Sequence, residues 1–207
     1  KAYHDMLQLK PLPIQITHSL GPLVILTLAF IAFFFDAEIS NTLIYNRELV
    51  NTGEVWRLIT GHFFHSNGNH FMLNSAAVAL LWTLHGQYYH YKNYGFIFIC
   101  SALICSLGIH WLSLDIALYV GLSGVLHGFF VWGALMDIKH KENTGYLLFI
   151  GVILKIAHEQ IYGASADVEL LIGASVATDA HLYGAIGGLV SFLILHINHK
   201  KTAKVAL

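Results

Sequence analysis

Six stretches of this 207-residue chain are apolar over roughly the length that spans a bilayer as a helix, and they exclude most other folds. They cover residues 19–35, 70–89, 94–114, 116–135, 145–162 and 180–197. In hydrocarbon each backbone N–H and C=O must be satisfied internally, so each stretch is predicted to be a helix. None shows the alternation of a barrel strand. Charged residues make up only 11% of the chain and hydrophobic ones 56%, whereas a soluble domain carries about a quarter charged residues. The expected fold class is therefore an all-α membrane protein of six transmembrane helices, a single domain over residues 1–207, with the lipid bilayer as its surroundings. A net charge of −1 leaves no broad basic surface, so no nucleic-acid partner is expected. No A-x-A-like cleavage site follows the first stretch, which is expected to be a retained anchor.

Six crossings return both termini to one side. Eight lysines fall on that side: Lys1, Lys10, Lys92, Lys139, Lys141, Lys200, Lys201 and Lys204. The opposite side holds only Arg47 and Arg57, beside acidic residues such as Asp36, Glu38, Glu48, Glu54, Asp115, Asp167, Glu169 and Asp179. Positive residues stay inside, so both termini are expected in the cytoplasm. The longest non-spanning piece, residues 36–69, contains Trp56, Phe63 and Phe64 and is expected to pack partly into the outer leaflet.

Polar side chains are costly in lipid and usually serve a function. The second, fourth and sixth stretches all start on the outer side, and each carries polar groups there. The second has His70 and Asn74, the fourth Ser123, the sixth His181 just after Asp179. At about 1.5 Å per residue these lie within the first turns of their helices. Ser123 sits in Gly121-Leu-Ser-Gly124, with Gly128 beyond; His181 is followed by Gly184, Gly187 and Gly188. Small faces on both helices let their backbones approach closely. A nucleophile and base need roughly 3 Å between them, which bulky faces would prevent. His70 and Asn74, four apart, share a face and can donate hydrogen bonds to an oxyanion, as can the Ser123 N–H at a helix start.

These residues resemble the rhomboid family of intramembrane serine proteases. The likeness covers essentially the whole chain. It is carried by Trp56-Arg57 in the first outer loop, His70-Phe-Met-Leu-Asn74, Gly121-Leu-Ser-Gly124, and Ala180-His181-Leu-Tyr-Gly184-Ala-Ile-Gly-Gly188. The resemblance implies a rhomboid-like bundle with Ser123 as nucleophile, His181 as base, and His70, Asn74 and the Ser123 amide as oxyanion hole. It implies a structural role for His65 in the first loop. It further implies a transmembrane protein substrate cut in its anchor, and a bacterial inner-membrane location with the site facing the periplasm. Many rhomboids carry a Tyr four residues after the nucleophile; this chain has His127, which can orient His181 or act as base itself. The wording GLSGVLHG and DAHLYGAIGG also resembles the rhombosortase subgroup, which implies exported substrates with C-terminal Gly-Gly anchors.

Lys155 and Glu159, four apart in the fifth stretch, are expected to pair within the span or to shape anchor recognition. Asp179 is expected to cap its helix rather than join His181, since residues two apart on a helix do not face each other. Cys100 and Cys105 are expected to pack as small apolar residues. His62, His65 and His70 raise a metal site on the first loop, but no HExxH motif is present, since His158-Glu159 is followed by no second His, and no metal or cofactor is expected. Two other functions share these features: a rhomboid-like binding factor without activity, in which the Ser or His would be missing, and a transpeptidase in which an amine resolves the acyl-enzyme. A transporter is disfavoured, because the polar cluster is shallow and no inverted repeat is visible.

Overall fold

The computed structural model describes residues 11–205 and, for side chains, 11–197; Lys1, His4, Lys10 and the side chains of His199, Lys200, Lys201 and Lys204 lie outside it. All six apolar stretches become helices: α1 (Ile16–Phe34), α5 (Gly68–His85), α6 (Tyr91–Leu112), α7 (Ser123–Lys139), α8 (Asn143–Tyr162) and α10 (Thr178–Val205). Between them lie α2 (Asp36–Leu43), α3 (Arg47–Asn51), α4 (Arg57–Thr60) and α9 (Ala166–Ile172). By length and apolarity, α1, α6 and residues 178–197 of α10 suffice to cross a membrane. α8 joins them only together with α9, from which it is bent by 90°. α5 and α7 fall short of the expectation for a physical reason. They carry the polar groups His70, Asn74 and His85, and Ser123, His127 and Asp137, and α7 has only 17 residues.

The fourth stretch needs a correction. It was expected to be helical from residue 116, but the helix begins at Ser123. The preceding segment instead forms β2 (Leu118–Tyr119), paired antiparallel with β1 (Tyr45–Asn46), Tyr45 opposite Tyr119. This short ladder ties the segment between α1 and α5 to the entry of α7 and is the exception to an all-helical chain among the described residues.

α7 lies at the centre, packed against α5, α6, α8 and α10. Its interior residues Val125, Leu126, Phe129 and Trp132 join Tyr94, Phe98 and Tyr89 in the largest core cluster. α1 and α8 instead leave Leu23, Phe30, Leu147 and Leu154 exposed, as a lipid-facing helix does. Without a hydrophobic drive between helices in lipid, close packing must come from small residues. A side chain at Gly184 would sit on the Gly124 carbonyl, and one at Gly188 on the Gly128 carbonyl. The glycine faces of α7 and α10 thus meet backbone to backbone, in register.

The segment between α1 and α5 is held by its two arginines, the only ones in the chain. Arg47 donates to the carbonyls of Ile109, His110, Ser113 and Ile116, capping the C-terminal end of α6 where a cation suits the helix dipole. Arg57 is buried and binds Glu54 at 2.6 Å, Ile44 O at 2.7 Å and Asn41 O at 2.9 Å. Both guanidinium groups are thus taken up locally, by carbonyls and by the Glu54 carboxylate. Phe64 is buried, as expected of a packed loop, but Trp56 is about half exposed, its indole donating to Thr42 O at 3.0 Å. Cys100 and Cys105 are free, and Cys105 packs in the core beside Gly124.

Candidate active site

The entry to α7 is built to present Ser123. Gly121 has φ of +126°, a conformation that suits glycine and turns the chain sharply into the helix. A Cβ there would also lie 3.0 Å from His70 Nε2. The Gly121 carbonyl accepts from Tyr119 OH at 2.8 Å and meets His62 Nδ1 at 3.3 Å. His62 is fully buried and also bonds Ser106 Oγ at 2.9 Å and Ala102 O at 3.2 Å. Burial pushes its imidazole down to about 4, so it stays uncharged at neutral pH and acts as a rigid strut. Its side chain is committed to these contacts and does not converge on a metal with His65 and His70, which instead meet edge to face at 5.0 Å.

With α7 and α10 in contact at their glycines, Ser123 Oγ lies 3.0 Å from His181 Nε2. The His181 ring is stacked on His127, centroids 4.0 Å apart and planes 19° from parallel, and His127 Nδ1 bonds Ser123 O at 2.8 Å. His127 therefore occupies a stacking position and spends one nitrogen on its own helix. On its far edge, His181 Nδ1 meets Glu159 Oε2 at 2.8 Å. The other oxygen of Glu159 pairs with Lys155 Nζ at 2.6 Å. Lys155 and Glu159 do pair, as their spacing suggested, but the pair extends to His181.

His127, Glu159 and His181 each bring a metal-ligating atom within 4.8 Å of the others. Two stacked imidazoles, however, aim their in-plane lone pairs along nearly parallel planes rather than at one point. The His181 nitrogens are also both engaged, by Ser123 and Glu159. The trio is held together by hydrogen bonding and stacking rather than aimed at a common centre.

α5 supplies the wall opposite. Asn67 caps it, accepting from His70 N at 2.9 Å, so His70 stands in the first turn. Ser66 contacts His70 Nδ1 through its hydroxyl at 3.1 Å and its N–H at 3.4 Å, leaving the Nε2 edge toward Gly121. Asn74, one turn on, is buried with its Nδ2 unpartnered. A buried amide donor left idle costs about 1–3 kcal/mol, so such a group calls for an acceptor. Ser123 and His70 line a cavity of about 150 Å³, roofed by Ile172 and the segment Ala174–Ala177. α9 is latched over it by Ser66, Asn67 and Asn69, which donate to the Ile172 and Leu171 carbonyls at 2.7 Å, 3.1 Å and 3.0 Å.

Asp179 stands in the first turn of α10, where its charge suits the dipole, but its carboxylate is taken by the Ser113 hydroxyl and does not face His181. The sequence reading of Glu159 went no further than a pair with Lys155 or a part in anchor recognition, and its contact with His181 lies beyond both. One signal was available: Glu159 lies three residues before the end of α8, as Ser123 and His181 lie near the starts of α7 and α10.

The family model described as Rhomboid domain matches residues 52–198, and no curated protein sequence matches the chain.

Proposed function

Because the chain belongs to the rhomboid family, whose members are generally intramembrane serine proteases, we propose that it is an intramembrane serine endopeptidase using Ser123 and His181. The observation that carries this reading is the 3.0 Å contact between Ser123 Oγ and His181 Nε2. In the proposed reaction Ser123 Oγ bonds to the carbonyl carbon of the scissile peptide while its proton passes to His181 Nε2. The C–N bond then breaks and the leaving amine takes that proton. Water, deprotonated by His181, releases the acyl group and regenerates the hydroxyl. The test is labelling by a fluorophosphonate probe in detergent. Wild type should label and Ser123→Ala should not; equal labelling of the two removes Ser123 as the nucleophile.

The oxyanion formed on the substrate is proposed to be met by the Ser123 N–H, Asn74 Nδ2 and His70. The idle amide of Asn74 and the His70 edge at Gly121 support this. Loss of one such donor costs about 10²–10³ in turnover in a well-studied protease. Asn74→Ala and His70→Ala should each lower kcat in that range with little change in KM. Near-neutral kcat for both would mean that other groups form the hole.

The substrate is proposed to be the membrane anchor of an exported protein, with C-terminal Gly-Gly anchors the favoured class on the strength of the GLSGVLHG and DAHLYGAIGG segments. Six crossings, both termini cytoplasmic, and a site facing the periplasm of a bacterial inner membrane complete the proposal, supported by the lysine distribution. A reporter fused after Leu207 should read cytoplasmic and a tag near Asn46 external. An external C-terminus would reverse the orientation and place the cleft on the cytoplasmic side.

A further inference from the structure

The base candidate is gripped from behind by a second helix. Glu159 Oε2 lies 2.8 Å from His181 Nδ1, and Lys155, one turn earlier on α8, holds Oε1 at 2.6 Å. The Glu159 side chain is only 12% exposed and that of His181 7%, whereas Lys155 is half exposed at the margin. An ionised carboxylate only accepts hydrogen bonds. Opposite it, Nδ1 must carry a proton, and Nε2 therefore presents a lone pair to the Ser123 hydroxyl. We propose that Glu159 is a positioning residue for the reaction, selecting the His181 tautomer that can take the Ser123 proton, and that Lys155 fixes which of its oxygens does so.

This rests on the Ser123–His181 reading and extends that pair to a third group on a different helix. When the Ser123 proton reaches Nε2, the ring becomes a cation beside a carboxylate in a poorly solvated site, where their attraction exceeds its value in water. His127 covers one face of the same ring, so tautomer and tilt are held by separate neighbours on α8 and α7. A purely structural ion pair would not need the contact to His181; Lys155 and Glu159 could close on each other within α8 alone.

Lys155 makes the inference sharp. In Glu159→Gln the lysine, a donor, draws the amide oxygen to itself, and the NH₂ is turned toward Nδ1. That forces the proton onto Nε2, the tautomer unable to accept from Ser123. In Lys155→Met/Glu159→Gln the amide is free to rotate and offer its oxygen to Nδ1–H.

The test is the rate of fluorophosphonate labelling of the full chain in detergent, resolved into the maximal rate kinact and the half-saturating concentration KI, with melting temperature measured in parallel. Glu159→Gln should lower kinact roughly 10²–10⁴-fold, the range of a mis-set general base, with KI and melting temperature little changed. The double variant should regain about tenfold or more of that loss, a rescue that lost packing would not produce. If Glu159→Gln does not fold, Glu159→Asp serves instead: it keeps the charge but is one methylene short, and should also lose kinact. Wild-type kinact in Glu159→Gln or Glu159→Asp, or a double variant no faster than the single, overturns the inference. Ser123→Ala and His181→Ala run alongside separate the two levels. If they lose labelling while Glu159→Gln keeps it, the Ser–His reading stands and the inference falls. If both still label as wild type does, the Ser–His reading itself falls and takes the inference with it.

Discussion

Ser123→Ala is expected to abolish cleavage of a membrane-anchored substrate, by on the order of 10⁵-fold or more, while the protein melts as the wild type does. The change removes one oxygen, which lies 3.0 Å from His181 Nε2 and also meets the Tyr119 hydroxyl, and leaves the α7 backbone and its glycine contacts untouched. His181→Ala should lose activity on a similar scale, because a nucleophile and its base act as one unit and losing either costs about as much as losing both. His127 provides the contrast. Its ring stacks on His181 and its Nδ1 contacts Ser123 O at 2.8 Å rather than the hydroxyl, so under the proposed mechanism it orients His181. His127→Tyr keeps a flat ring in that place and should retain activity within roughly tenfold of wild type. Turnover of an anchored reporter in liposomes distinguishes the cases. A His181→Ala variant that stays active while His127→Tyr is dead would move the base to His127.

Gly184→Ala should be the most damaging single-methyl change in the chain. A Cβ at this position would overlap the Gly124 carbonyl on α7, and the obstacle is backbone, which cannot swing aside as a flexible side chain does. α7 and α10 would have to separate at the level of Ser123 and His181. Overpacking typically costs about 1–3 kcal/mol, and a backbone-to-backbone clash belongs at the upper end. The effect on chemistry should be larger than the effect on folding, since a shift of about 1 Å in a catalytic contact can cost roughly 10²-fold. Gly151→Ala in the middle of α8 is the control: nothing lies within 4 Å of a Cβ there, and stability should hold or rise by up to about 1 kcal/mol, since glycine is a poor helix former. Melting and turnover of the two variants together decide the matter. If Gly184→Ala behaves like Gly151→Ala, the two helices do not meet through their glycines.

Much of the candidate site could be found without coordinates because its signals are local. His70 and Asn74 share a face through their spacing of four, as do Gly184 and Gly188, and counting 1.5 Å per residue from the outer end sets Ser123 and His181 at one depth. The same spacing rule paired Lys155 with Glu159 but said nothing of His181, which lies on another helix. That α7 starts at Ser123 was not local, since the ladder with Tyr45–Asn46 that displaces the earlier residues joins segments more than 70 positions apart. Nor could spacing say which of 14 histidines matter: His62 is packed against the Gly121 carbonyl, and His127 stacks on His181, contacts that only the tertiary structure brings about.

The sequence by itself determined that the chain forms apolar helices, roughly where each lies, and which carry small faces and polar groups near one end. Those properties follow from backbone satisfaction in lipid and from the period of a single helix. Only the tertiary structure decided which helices are neighbours and how each is rotated about its axis, and hence that a carboxylate on α8 meets the far nitrogen of a ring on α10. In a water-soluble helix the apolar face points to the core and announces that rotation. Here lipid and core are both apolar, and the rotation is set by glycine contacts and hydrogen bonds between residues distant in the chain.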